Sequence, residues 1–191
     1  MKKLTSVAIL LIIFIGLSII FQAQKNSPSQ QPTPSPAPTL IATSSAQPKQ
    51  VLGVRTKVSG CIAQNALPDK DCTPGAIILG VTKEQVCTPG YSKEVRNVPN
   101  SEKEQVFAEY GITSHNLGEY EVDHLISLEL GGSNDISNLW PEAAEPRPGY
   151  HEKDKVENIL HQQICNGTIT LEQAQQQISN NWLEVYKKIS Q

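Results

Sequence analysis

One segment decides how much of this chain can fold. From about Lys25 to Gln50 the sequence is dominated by Pro, Ser, Thr, Gln and Ala, with Pro at every second position across Pro32-Thr-Pro-Ser-Pro-Ala-Pro38. Such a stretch buries too little apolar surface to offset chain entropy, so an extended, disordered linker is expected over residues 25–50. A core is then confined to residues 51–191. Ahead of the linker, Lys2 and Lys3 precede a nearly unbroken apolar run from Val7 to Phe21. A basic start before such a run is an export signal, and its length approaches that of a spanning helix. Phe21-Gln22-Ala23-Gln24 makes a poor small-x-small cleavage site, and no Cys near the run offers a lipid attachment point. Residues 1–24 therefore read as a signal anchor, slightly ahead of a cleaved signal peptide. The expected location is extracytoplasmic, either secreted or anchored to the cell membrane.

The cysteine count agrees with that compartment. Cys61, Cys72, Cys87 and Cys165 all follow the linker, and an even number outside the cytoplasm implies disulfides. Three pairings are open. The favoured one closes a short loop with Cys61–Cys72 and staples distant segments with Cys87–Cys165. A structural zinc site is the rival, disfavoured because no Cys-x-x-Cys pair exists.

Charge argues in another direction. Residues 1–50 hold Lys2, Lys3, Lys25 and Lys49 and no acid, so the remainder carries 12 basic against 19 acidic residues, a balance of −7. A general nucleic-acid binder gains affinity by neutralising phosphates with Lys and Arg. A bound divalent cation and a local basic cluster would have to compensate.

Within residues 51–191, Ala76-Ile-Ile-Leu-Gly-Val81 reads as a short strand. Cys72-Thr-Pro-Gly75 is echoed by Cys87-Thr-Pro-Gly90, two similar turns. Ser101 with Glu104 fits a capping box opening a helix from Glu102 to Tyr110. Tyr120 to Ile126 reads as a strand, Gly131-Gly-Ser-Asn-Asp135 as a turn, and Ile136 to Trp140 as a second strand ended by Pro141. A helix begins at His151, with Val156, Ile159, Leu160 and Ile164 on one face and Gly167 at its end. Thr170 with Gln173 forms another capping box, and Leu171, Ala174, Ile178, Trp182, Val185 and Ile189 continue a helical stripe. Trp182 is expected in the core, while His115 and His161 are expected to be solvated.

The chemistry gathers between Glu121 and Lys155. Asp123 and His124 are adjacent on a strand and so point to opposite sides, although a twist or a strand end lets both reach one site. The hairpin brings Asn138 back beside them, and the next helix opens with His151. A hard divalent cation wants carboxylate oxygen and, if a transition metal, accepts imidazole. A histidine near neutrality can take a proton from an attacking water. An asparagine can fix the hairpin by hydrogen bonds.

Asp-His, then a Gly-Gly turn, then Asn-Leu resembles the HNH endonuclease family and its ββα-metal fold. The resemblance covers Tyr120 to Ile164, about a quarter of the chain. It implies that Asp123 is the metal-binding acid, His124 the general base and Asn138 the hairpin-fixing asparagine. The final metal ligand falls on His151, with Asp154 as a substitute. His151 follows Asn138 at a longer spacing than is usual in the family, and Pro146-Arg-Pro148 supplies the extra residues. Lys153, Lys155 and Arg147 form the local basic cluster expected to contact phosphate.

The expected fold is α+β: a ββα-metal hairpin-plus-helix core with additional helices and a disulfide-braced N-terminal portion. The expected function is metal-dependent endonucleolytic hydrolysis of DNA, and of RNA as a further substrate, by a single-metal mechanism. Mg²⁺ is the first expectation for the metal, with Mn²⁺, Zn²⁺ or Ni²⁺ admitted by imidazole ligation. The partners implied are nucleic acid and, through an uncleaved anchor, the membrane; no protein partner is implied. The alternative is a non-catalytic surface module, an HNH-like scaffold on a stalk, which the acidic balance fits better. A third reading is a metal hydrolase acting on some other phosphodiester.

Overall fold

The computed structural model describes residues 53–191. The expected signal or anchor (1–24) and linker (25–50) lie outside the described residues. Among the described residues, no helix is long and apolar enough to cross a membrane. The fold mixes helices with a two-stranded antiparallel sheet, in agreement with an α+β class.

The sheet is a hairpin of β1 (Tyr120–His124) and β2 (Leu139–Ala143), with Asp123 opposite Trp140 and Val122 opposite Pro141. Both strands differ from the sequence expectation. β1 stops at His124, Ile136–Asn138 forms a 3-10 turn, and β2 runs on through Pro141 instead of ending there. The reason is the register. Leu125 N donates to Asn138 O, and Ala144 N donates to Glu119 O. Hydrogen-bonded pairs alternate along an antiparallel ladder, so Val122–Pro141 falls at a non-bonded pair. A proline there lacks no ladder bond.

The connection from β1 to β2 is rigid rather than a simple turn. Ser127 caps a 3-10 turn over Leu128–Leu130, and Asp135 caps the one over Ile136–Asn138. Between them, Gly131 takes a φ of 74°. A Cβ on Gly132 would sit 1.7 Å from Ile126 O, so only glycine lets the backbones approach this closely. The strand expected over Ala76–Val81 is reduced to one bridge, Ile77 to Gly132. Gly80, at a φ of 77°, turns the chain before a ladder can extend.

Among the described residues, three helices precede the hairpin: α1 (Lys83–Val86), α2 (Tyr91–Val95) and α3 (Asn100–Glu109). α3 starts earlier than expected. Pro99 occupies the N-cap with no side-chain bond, so Ser101 lies inside the helix and its capping box does not form. After the hairpin come α4 (Tyr150–Cys165) and α5 (Leu171–Ile189). The Thr170–Gln173 capping box is present, and Asn181 interrupts the regular geometry of α5. Val156, Leu160 and Ile164 of α4 pack with Ala174, Ile178, Trp182 and Val185 of α5, and with Ile126 and Leu130 from the hairpin connection. Trp182 is core, as its spacing indicates, and its Nε1 donates to Ala66 O at 2.9 Å.

Two disulfides, Cys61–Cys72 and Cys87–Cys165, match the favoured pairing. They close loops with sequence separations of 11 and 78 residues. Chain-entropy arguments give roughly 3 kcal/mol for the short loop and roughly 4.5 kcal/mol for the long one. Paired Cys→Ser variants should therefore lower the urea midpoint more for Cys87/Cys165 than for Cys61/Cys72. The reverse order would contradict the assignment of Cys87–Cys165 as the main staple.

Candidate functional site

The hairpin connection is organised around one side chain. Asn138 is fully buried. Its Oδ1 accepts from Ile126 N at 2.9 Å and Ala76 N at 3.3 Å, while Nδ2 donates to Ile126 O at 2.9 Å and Ser133 O at 2.8 Å. These bonds use the whole capacity of a carboxamide. They hold the end of β1, the Gly-Gly turn and the preceding 72–81 segment in one arrangement.

His124 closes β1 and is almost wholly buried. Its Nε2 lies 3.2 Å from Asn134 Oδ1. Asn134 cannot be turned around, because its Nδ2 donates to Val95 O and its Oδ1 also accepts from Asn97 N. Nε2 must therefore carry the ring proton, leaving the Nδ1 lone pair without a partner among the described residues. Burial pushes the imidazole down to about 4, against the opposing pull of the Asp123 charge. His124 is thus uncharged at neutral pH, with one nitrogen free to accept. Asn134, read from the sequence only as a turn residue, is the group that fixes this tautomer.

Asp123 shares the hairpin face of Glu121, Trp140 and Glu142, opposite to His124, as strand alternation requires. Its side chain keeps 21% exposure. Lys153 Nζ bonds Asp123 Oδ2 at 2.7 Å and the main-chain oxygen of His124 at 2.8 Å, and it bonds Glu157 as well. Glu142 lies 3.9 Å from the same ammonium. Burial would raise the Asp123 carboxyl, but the charge and hydrogen bond of Lys153 outweigh it and hold the group below its usual range. Burial likewise opposes the Lys153 charge, yet Asp123, Glu157 and Glu142 hold its pKa well above normal.

Glu142 is the odd member. Among the described residues neither of its buried oxygens has a hydrogen-bond partner, although the Lys153 ammonium lies 3.9 Å from Oε2 and Asp123 is an immediate neighbour. Burial raises the Glu142 pKa well above the usual carboxylate value, the Lys153 charge opposing the rise and the Asp123 charge adding to it, a direction that favours the protonated form of Glu142. Burial also raises Glu157, in spite of Lys153.

This corrects one expectation. Lys153 is 0% exposed, so it does not meet phosphate at the surface; three carboxyl groups hold its ammonium inside. Lys155 and Arg147 are exposed, but each lies against Glu152, at 3.4 and 3.6 Å, and Arg147 also bonds Glu145. The three residues do not form one free basic patch.

His151 lies on the first turn of α4, exposed, its ring 4.3 Å from that of Tyr150. It acts electrostatically on Glu121 and Asp154, favouring their charged forms. Burial first and then the Asp123 charge raise both of these acids. Asp123, Glu121, Asp154 and His151 therefore share one electrostatic neighbourhood at the edge of the hairpin.

Among the described residues, one trio of His, Cys or acidic side chains has ligand atoms all within 4.8 Å of one another: Cys87, His161 and Cys165, a group that could hold a metal. Asp123 and His151 belong to no such trio. The expectation that His161 is simply solvated also needs correction, since its Nε2 bonds Val86 O at 2.9 Å. A cavity of about 570 Å³ opens at the other end of the hairpin, against Tyr120, Trp140, Arg147, Tyr186 and Lys187. Asp123, His124, Asn138 and His151 do not line it. No family model, curated protein or solved structure matches this chain.

Proposed function

We propose that the chain is a metal-dependent endonuclease of the HNH type, its hairpin and α4 forming a ββα-metal unit, acting on DNA outside the cytoplasm. The observation that carries this reading is the His124 tautomer. An uncharged imidazole presents a free Nδ1, and its other nitrogen is anchored on an asparagine that the backbone locks in place. Such a ring can accept a proton from water, as a weaker base than an imidazole near neutrality because burial holds it at about 4. The imidazolium formed would be stabilised by the Asp123 charge, which already favours that state. Asn138 keeps the strand end that carries His124 from shifting.

The donor chemistry fits a divalent cation. Asp123 and His151 would hold it, with Asp154 and Glu121 alongside. Burial first and then the Asp123 charge raise Glu121 and Asp154, and a cation beside them would offset both costs. A bound divalent ion supplies charge stabilisation for the phosphate and the leaving oxygen. Lys153 aims the Asp123 carboxylate through its charge and a hydrogen bond.

The full oxidised chain is expected to nick supercoiled plasmid with Mg²⁺ or Mn²⁺, and to stop when EDTA is added. A folded chain that leaves the plasmid intact with both Mg²⁺ and Mn²⁺ would leave the second reading, a tethered non-catalytic module. That reading draws on the acidic balance of −7 beyond residue 50 and on the acid-paired state of Arg147 and Lys155.

A further inference from the structure

Away from the hairpin, three metal-ligating side chains meet from two elements. His161 and Cys165 stand four residues apart on one face of α4. Cys87 joins them from the end of α1. In the oxidised chain the two sulfurs are bonded to each other, and His161 Nε2 lies 3.5 Å from Cys165 Sγ. The same Nε2 is 2.9 Å from Val86 O, a carbonyl that can only accept, so Nε2 carries the ring proton. Unprotonated Nδ1 then lies 4.0 Å from Glu129 Oε2, an oxygen buried without a hydrogen-bond partner. Two acceptors face each other across a gap.

We propose that the chain, once Cys87–Cys165 is reduced, holds one Zn²⁺ through Cys87 Sγ, Cys165 Sγ and His161 Nε2, with Glu129 orienting the imidazole. Reduction by a dithiol breaks the S–S bond. Two electrons pass to the sulfurs, the dithiol becomes its own disulfide, and its two protons end on Cys87 and Cys165. Zinc binding releases both thiol protons to solvent and leaves two thiolate ligands. Tetrahedral zinc at 2.3 Å from each sulfur places the sulfurs roughly 3.8 Å apart. Side-chain rotation reaches that spread with the Cα atoms 5.6 Å apart.

The imidazole changes tautomer in the same step. Nε2 gives up Val86 O for the metal, and the ring proton moves to Nδ1, where it faces Glu129. Glu129 Oε2 gains the partner it lacks. A zinc-bound histidine whose far nitrogen donates to a carboxylate is held in orientation and made more basic. The protein donors are two sulfurs and one nitrogen, with the fourth position left to water. The histidine and cysteine four residues apart on a helix do here what a Cys-x-x-Cys loop does elsewhere.

The test uses the full chain, reduced with a phosphine and titrated anaerobically with Zn²⁺, with Co²⁺ as the spectroscopic probe. The expected results are one Zn²⁺ per chain, thiolate-to-Co²⁺ charge-transfer absorption, and a zinc-dependent rise in melting temperature absent from the oxidised chain. Should the reduced, zinc-free chain be unfolded, zinc is expected to restore its far-ultraviolet circular dichroism. Cys61→Ser/Cys72→Ser should bind like the parent. Glu129→Gln should weaken zinc about 10–100-fold, and His161→Ala should weaken it further. The proposal is overturned if the reduced chain takes up no stoichiometric zinc or gains neither stability nor structure from it. Binding unchanged by His161→Ala, or lost in Cys61→Ser/Cys72→Ser, would overturn it equally.

Discussion

Lys153→Met is expected to destabilise the protein by about 3–5 kcal/mol, the usual cost of removing one partner from a buried charge pair. Methionine nearly fills the volume, so packing is not the main loss. What is lost is, among the described residues, the only ammonium that reaches Asp123, Glu157 and Glu142. Asp123 and Glu157 would be left with uncompensated charge, and the main-chain oxygen of His124 would lose a donor at 2.8 Å. The deficit should depend on pH in a definite direction. Without Lys153, the folded-state pKa of Asp123 rises above its unfolded value, and that of Glu157, already raised by burial, rises further. Groups raised in this way favour the fold at low pH, and that contribution is lost as pH rises through the folded values. The variant should therefore lie closest to wild type in mild acid and furthest from it at neutral pH. Adding Glu157→Gln should recover part of the loss, because it removes one orphaned charge. A Lys153→Met protein within 1 kcal/mol of wild type at neutral pH would contradict this arrangement of the carboxyl cluster.

Asn138→Ala is the second large effect, again about 3–5 kcal/mol, since each buried group left without a partner costs about 1–3 kcal/mol. Ile126 N, Ala76 N, Ile126 O and Ser133 O would all lose a bond to this side chain. Asn138→Asp should not rescue the fold. An aspartate can still accept from the two N–H groups, but its second oxygen would confront two carbonyls that require a donor. Urea unfolding of both variants checks this. Recovery by Asp to near wild type would mean that the two donated bonds carry little.

These two residues show what the sequence made legible and what it hid. Asn138 stood out because a Gly-Gly turn and an Asp-His pair fixed its place on a hairpin, and its bonds are of the kind expected. The cysteine pairing, the Thr170 cap and the buried Trp182 were also readable, since each follows from local spacing or compartment chemistry. Lys153 was misread because a lysine on a helix is ordinarily solvated. A signal did exist: Lys153, Val156, Leu160 and Ile164 fall at helical spacing, so the buried stripe of α4 runs back through the lysine. Glu142 and Glu157 were missed for a related reason. Their roles depend on one another across β2 and α4, and no local pattern encodes that pairing. The early end of β1 and the run of β2 through Pro141 were hidden because register, not propensity, decides where a proline is harmless.

A side-by-side rate of plasmid nicking by wild type and His124→Ala, at equal metal and with matching melting curves, bears on the proposed function with the fewest intermediaries. Loss of a general base is expected to lower the rate about 10²–10⁴-fold while the chain stays folded. Equal rates in a folded His124→Ala protein would contradict the assignment of His124 as the base, and with it the nuclease reading of this hairpin.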